Sequence, residues 1–163
     1  MEWKIKKRHS LREKDIKKIK KYIRENLADD LVIEGEYEIC KLSNGLELIL
    51  TDKSPSFLFL EEKVIPSLRM LTEKKIRDFR KYVVVDMGAV PHIANGADVM
   101  VPGVVEVGDF KKDEFVFVGD KKNEKILSIG TASMESKEIS EKKEGKAIKT
   151  LHYAGDRFWN FKV

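Results

Sequence analysis

Apolar residues recur at helical spacing in one early stretch. Ile16, Ile19, Ile23 and Leu27 form a stripe, while Lys14, Lys17, Lys18, Lys21 and Arg24 fall on the opposite face. Ser10 followed by Glu13 has the pattern of a capping box, so the spacing predicts a helix over about 10–27. The period then changes. Residues 31–33, 37–42 and 46–50 read as strands, and Asn44-Gly45 is a two-residue hairpin signal between the last two. Ser54-Pro55 interrupts the pattern before a strand at 57–60. Leu68, Leu71, Lys75 and Phe79 restore helical spacing and predict a helix over about 66–79.

The second half is patterned differently. Tyr82-Val83-Val84-Val85 is a buried-strand signature ending at Asp86. Glycines at 88, 96, 103, 108, 119, 130, 145 and 155 imply short elements and tight turns, as in a small β barrel. Residues 115–118 and 126–129 read as strands, 136–144 as a short polar helix and 158–161 as a closing strand. The charged stretch 72–81 has no strand pattern and suits a boundary. The expectation is an α+β chain with a small α/β domain at 1–76 and a β-rich domain at 77–163.

Charge changes this picture more than composition does. The 163 residues carry 32 Lys+Arg against 28 Asp+Glu, a net +4. Residues 1–26 hold eleven basic and four acidic residues, 27–81 nine and eleven, and 82–163 twelve and thirteen. The basic excess is therefore confined to the N-terminal segment, where nucleic acid or another anionic surface is the expected partner. The charged fraction of 37% exceeds the ~25% usual for soluble domains, glutamine is absent, and Lys outnumbers Arg 25 to 7. That balance suggests heat adaptation. The lone Cys40 has no intrachain partner, and no apolar run reaches membrane-spanning length, so a soluble, cytoplasmic protein is expected.

Catalytic and cofactor patterns are sparse. His9, His92 and His152 are far apart without metal-ligand spacing, so neither metal nor cofactor is expected. Cys40 lies in a strand pattern and reads as a buried thiol. Gly145-Lys146-Ala147 lacks the upstream glycine and the hydroxyl residue of a phosphate-binding loop. Residues 83–88 have the outline of the first phosphate motif of actin-like ATPases, but that fold needs a longer chain. Asp86 is expected instead to position the turn into a short helix after Gly88. The chain does not read as an enzyme.

Several motifs in order carry a resemblance. They are Asp86-Met87-Gly88-Ala89, Asn95-Gly96-Ala97-Asp98-Val99-Met100-Val101-Pro102-Gly103-Val104, then Phe110, Asp113 and Ile129-Gly130-Thr131-Ala132-Ser133-Met134. Gly145-Lys146-Ala147, Leu151-His152-Tyr153 and Asp156-Arg157-Phe158-Trp159 complete the set. Together they resemble the PUA domain of RNA-modifying enzymes. Pro66-Ser67-Leu68-Arg69-Met70-Leu71 resembles a motif of the malignant-T-cell-amplified-sequence family, whose members join a pre-PUA to a PUA domain. Lys112 before Asp113 departs from the glycine common there. An archaeal member of the family is expected.

The resemblance implies a six-stranded pseudobarrel that binds RNA through a helix, the following strand and the last strand. On this chain those positions are Gly88, Ala89, His92, Asn95, Gly96, Ala97, Asp98, Met100, Pro102 and Gly103, with His152, Arg157 and Trp159 from the end. Exposed Met100, His92 or Trp159 would pack on an unstacked base. Because the second half has no basic excess, Lys14, Lys17, Lys18 and Lys21, or Lys74, Lys75, Arg77, Arg80 and Lys81, are expected to supplement it. The resemblance further implies a non-catalytic translation protein that engages tRNA or rRNA. It would act at the small ribosomal subunit and the tRNA acceptor end, with an initiation-factor-like partner protein. An accessory module for an RNA-modification enzyme and a protein adaptor docking through the first domain are the alternatives.

Overall fold

The computed structural model describes residues 3–60 and 63–163. The chain divides into Met1–Ser67 with Asn160–Val163, and Leu68–Trp159.

The first unit contains strand β1 (Ile5–Ser10), helix α1 (Glu13–Asn26), a 3-10 turn (Asp29–Leu31) and strands β2 (Tyr37–Leu42), β3 (Glu47–Thr51), β4 (Ser54–Leu60) and β5 (Lys63–Pro66). The strands form an antiparallel meander in the order β1-β2-β3-β4-β5. Helix α1 buries Ile19 and Ile23, as the stripe requires, and leaves Lys14, Lys17, Lys18, Lys21 and Arg24 exposed. Its start differs from expectation. Ser10 ends β1, Arg12 is the extended N-cap residue, and no side chain caps the helix. Glu13 and Asp15 in the first turn instead complement the helix dipole.

The turns also exchange roles. The β2–β3 hairpin closes with a three-residue loop, in which the Leu42 amide donates to the Leu46 carbonyl and Gly45 adopts φ +90°. The two-residue turn lies at Asp52-Lys53 instead, both at positive φ, as a primed turn demands. Pro55 does not break the strand; it sits in β4 at a register shift opposite Leu50. Residues 31–33 form no strand, because Leu31 buries its side chain from the 3-10 turn.

The second unit begins with 3-10 turns at Leu68–Leu71 and Ile76–Asp78, not with the expected helix. It continues with β6 (Tyr82–Val85), α2 (Val90–Ala94), β7 (Val99–Met100), a 3-10 turn (Val101–Gly103), β8 (Val104–Val107), β9 (Phe115–Asp120) and β10 (Ile126–Ala132). Helix α3 (Ser136–Glu141), β11 (Lys146–Tyr153) and α4 (Arg157–Asn160) complete the chain. Six strands in the order β7-β11-β10-β9-β6-β8 make a nearly closed barrel, with β6 and β9 parallel and the other pairs antiparallel. Val83, Val85, Val99, Val116, Val118, Ala132 and Ile148 share its core with Ile93 from α2 and Ile139 from α3.

The unit boundary falls at 67/68, whereas the sequence pattern suggested 76/77. Leu68, Leu71, Ile76 and Phe79 are all buried, and Phe79 stacks on Phe117 at 4.0 Å between centroids. Burying side chains of this size is worth ~1.5–3 kcal/mol each, which holds 68–79 to the barrel. The expected closing strand at 158–161 is replaced by α4. Gly155 at φ +95° turns the chain, and Asp156 accepts the Trp159 amide at 2.9 Å.

Candidate nucleic-acid interface

The segment from Asp86 to Gly103 is shaped by its own hydrogen bonds. The Asp86 carboxylate accepts the Ala89 amide at 2.9 Å, which positions the turn into α2 as expected from the sequence. Ile93 is buried in the barrel core and fixes the helix, so that His92 points to solvent. The helix ends in a Schellman arrangement: the Gly96 amide donates to the Ile93 carbonyl and the Ala97 amide to the His92 carbonyl. Gly96 has φ +90°, and a Cβ there would lie 2.6 Å from the Tyr153 ring. Only glycine satisfies both conditions.

Strand β11 pins the chain after this turn. Asp98 accepts the Thr150 amide at 2.8 Å and pairs with the Lys146 ammonium at 2.9 Å. The Thr150 hydroxyl donates to the Ala97 carbonyl at 2.9 Å. Met100 then pairs with Lys146 in the β7–β11 ladder. The Gly103 carbonyl accepts the Asp86 amide, which brings the end of the segment back to its beginning.

The result is an open concavity of about 270 Å³ lined by Ala89, His92, Ile93, Ala97, Asp98, Val99, Met100 and Gly103. Its wall is mostly apolar, and Met100, 49% exposed, stands on it. Met87, 43% exposed, lies in the preceding turn. Asp98 with Lys146 supplies the polar element. This chemistry suits a flat, partly apolar group carrying polar edges.

Burial opposes ionisation of Asp98, but Lys146 and the Thr150 amide outweigh it and hold the carboxyl below its ordinary range. A carboxyl lowered in the fold contributes fully above its unfolded value of about 3.9. That contribution is lost as pH falls through the folded value. Asp98→Asn should therefore flatten the acid limb of thermal stability, by about 1 kcal/mol or less given the partial exposure. Thermal melts between neutral pH and acid measure this; an acid limb as steep as the wild type's would exclude the contribution.

Ala89, His92, Ala97, Asp98, Met100 and Gly103 thus converge on one surface feature. Gly88, Asn95, Gly96 and Pro102 belong to the turns that bound it. The residues expected from the end of the chain behave differently. His152 has no exposed surface: its Nδ1–H donates to Asp156 at 2.7 Å, and its Nε2 accepts the Leu68 amide at 3.0 Å. It is a buried structural imidazole, not a surface group. Trp159 is half-buried beneath the Arg69 guanidinium, 4.7 Å from the ring centroid, and Arg157 is exposed in α4.

Among the supplementary cations, Lys14, Lys17, Lys18, Lys21, Lys75 and Arg80 are exposed. Lys74 is half-buried, and Arg80 lies 3.4 Å from Asp109. Lys81 pairs with Glu114 at 2.6 Å. Arg77 is gripped by Glu106 at 2.8 Å and Glu124 at 2.5 Å, an arrangement that ties a turn to the barrel. Sequence reasoning missed Lys146, Thr150, Ile93 and Val99. The apolar pair Ala147-Ile148 between Lys146 and Lys149 is the sequence signal that could have pointed to the strand carrying the first two.

Residues 81–154 match the PUA domain family, and residues 7–78 match a family described as a domain of unknown function, DUF1947. An uncharacterized protein of Methanocaldococcus jannaschii is 44% identical over 162 residues, covering 97% of this chain and 98% of that one. Translation machinery-associated protein 20 of Saccharomyces cerevisiae is 29% identical, covering 90% and 85%. A Drosophila melanogaster homolog of malignant T-cell-amplified sequence 1 is 30% identical, covering 82% and 76%. The crystal structure of a hypothetical protein from Pyrococcus horikoshii superposes with a TM-score of 0.84 at 35% identity, covering 94% of this chain and 98% of that one. With both halves matched in the same order and the likeness running through nearly the whole chain, the protein belongs to the malignant T-cell-amplified-sequence family of PUA-domain proteins.

Proposed function

We propose that this chain is a non-catalytic RNA-binding protein of the translation machinery, whose concavity beside α2 receives unpaired nucleotides at the acceptor end of tRNA on the small ribosomal subunit. The observation that carries the reading is the convergence of Ala89, His92, Ala97, Asp98, Met100 and Gly103 on one open, mostly apolar pocket. Unstacked bases bind to such surfaces by stacking and edge hydrogen bonds, and each stacked base contributes ~1–3 kcal/mol. Asp98 is an acceptor for an exocyclic amine, and Lys146 is a cation for the adjoining phosphate. The yeast relative's name places that protein with the translation machinery. Exposed lysines on α1 would add steering that the second unit, with twelve basic and thirteen acidic residues over 82–163, does not supply.

Deacylated tRNA and the same tRNA trimmed of its unpaired 3′ nucleotides form the direct test. Intact tRNA is expected to bind at least ten-fold more tightly, which corresponds to about 1.4 kcal/mol. Co-sedimentation with small ribosomal subunits should survive moderate salt. Equal affinity for the two tRNAs would remove the acceptor end from the reading, and loss of co-sedimentation would remove the ribosome.

A further inference from the structure

Strand β1 is the outermost strand of the first sheet, and all six of its residues are exposed. Strands normally gain much of their stability by burying one face, so hydrophobic packing does not account for this one. Its cations are more informative. Arg8 is neutralised by a two-pronged contact with Glu38, both bonds at 3.0 Å. Lys4, Lys6 and Lys7 are exposed and have no ion-pair partner among the described residues.

The ladder adds a second, independent observation. The register slips between Ile5 and Lys7, so Lys6 is the extra residue of a bulge without a cross-strand partner. Lys7 then stands directly opposite Lys41. Like charges placed opposite each other destabilise a sheet. Lys41 has partial relief from Glu47 at 3.7 Å, but Lys7 has none among the described residues. Four lysines, at 4, 6, 7 and 41, therefore lie at one end of the β1–β2 ribbon, and among the described residues their one carboxylate partner is Glu47.

From this geometry we infer a second, charge-driven RNA contact on the first unit, in which Lys4, Lys6, Lys7 and Lys41 grip the phosphate backbone of double-stranded RNA. An acidic protein strand added along the sheet edge is the competing occupant. The bulge and the edge lysines are devices that discourage strand addition, so they favour phosphate over a new strand. Phosphate binding relieves the Lys7–Lys41 repulsion directly. Contacts of this kind carry little sequence information and depend steeply on salt. The inference rests on the proposed RNA-binding role but not on the pocket in the second unit.

The test uses the full chain and a blunt RNA duplex with no unpaired end. A triple variant, Lys4→Gln with Lys6→Gln and Lys7→Gln, should weaken duplex binding and make the salt slope shallower by roughly 2–3, about 0.9 per lost phosphate contact. The matching Lys→Arg triple should restore both, and thermal melts check that each variant is folded. An unchanged slope in the Gln triple overturns this surface while leaving tRNA end discrimination intact. Polyglutamate competing as effectively as the duplex also overturns it, in favour of an acidic protein partner. Conversely, loss of end discrimination with the slope change still present would remove the pocket and leave this surface standing.

Discussion

Gly103→Leu is expected to reduce affinity for tRNA with an intact 3′ end by ten-fold or more, and to abolish the preference over trimmed tRNA. A Cβ at Gly103 lies 3.1 Å from the Ala89 Cβ, tighter than an ordinary contact. Both residues line the concavity, so a branched side chain would fill the space proposed for a nucleotide. Displacing one stacked base costs ~1–3 kcal/mol, or roughly five- to more than a hundred-fold in affinity. Overpacking against Ala89 would also lower stability by ~1–3 kcal/mol, so binding is compared well below the melting temperature. Met100→Ala separates the two effects, because that side chain is half exposed and its removal should weaken binding at little cost in stability. If both variants retain end discrimination, the concavity is not the nucleotide site.

His152→Ala is expected to lower the melting temperature of the second unit by roughly 12–24 °C while leaving RNA affinity of the folded protein unchanged. The imidazole has no exposed surface and joins three separate pieces of chain. Its Nε2 accepts the Leu68 amide, its Nδ1–H donates to Asp156, and its ring packs on Phe158 at 4.8 Å between centroids. Asp156 in turn accepts the Tyr153 and Trp159 amides. Truncation would leave the Leu68 amide without an acceptor, at ~1–3 kcal/mol, and open a cavity as well. About 3 kcal/mol in total, at roughly 4–8 °C per kcal/mol for a unit of this size, gives the expected shift. Burial opposes ionisation of Asp156, but the His152 hydrogen bond and the two amides prevail and keep the carboxyl low. A small change in melting temperature would contradict the structural role. A large loss of RNA affinity at low temperature would return His152 to the binding surface.

The contrast between these two residues shows how far the sequence could be read. The place of Gly103 on the concavity was legible because its neighbours in space are its neighbours in the chain. Asp86, Ala89, His92, Asp98 and Met100 lie within eighteen positions of it, and hydrogen bonds within that segment set much of its shape. His152 was misplaced because its partner Leu68 is 84 positions away, and no local pattern reports that contact. Lys146 and Thr150 were missed for the same reason, since Asp98 meets them only through the β7–β11 ladder. Strand β1 was missed for another reason. With all six side chains exposed it lacks the alternation by which strands are recognised, and only pairing with β2 defines it.

By itself, the sequence determined the amphipathic helix α1, the hairpin at 42–46, the buried strand at 82–85, the Asp86 turn and the concentration of positive charge before residue 27. Each depends on periodicity, on backbone preferences of a few adjacent residues, or on simple addition of charge. Tertiary structure alone decided that 68–79 joins the barrel, that α4 replaces a closing strand, and that Lys146 faces Asp98 while His152 turns inward. Those outcomes depend on which buried hydrogen bonds and apolar contacts can be satisfied at once between distant segments. The same holds for the basic N-terminal charge: the sequence supplied its size, and the register of β1 against β2 set Lys7 opposite Lys41.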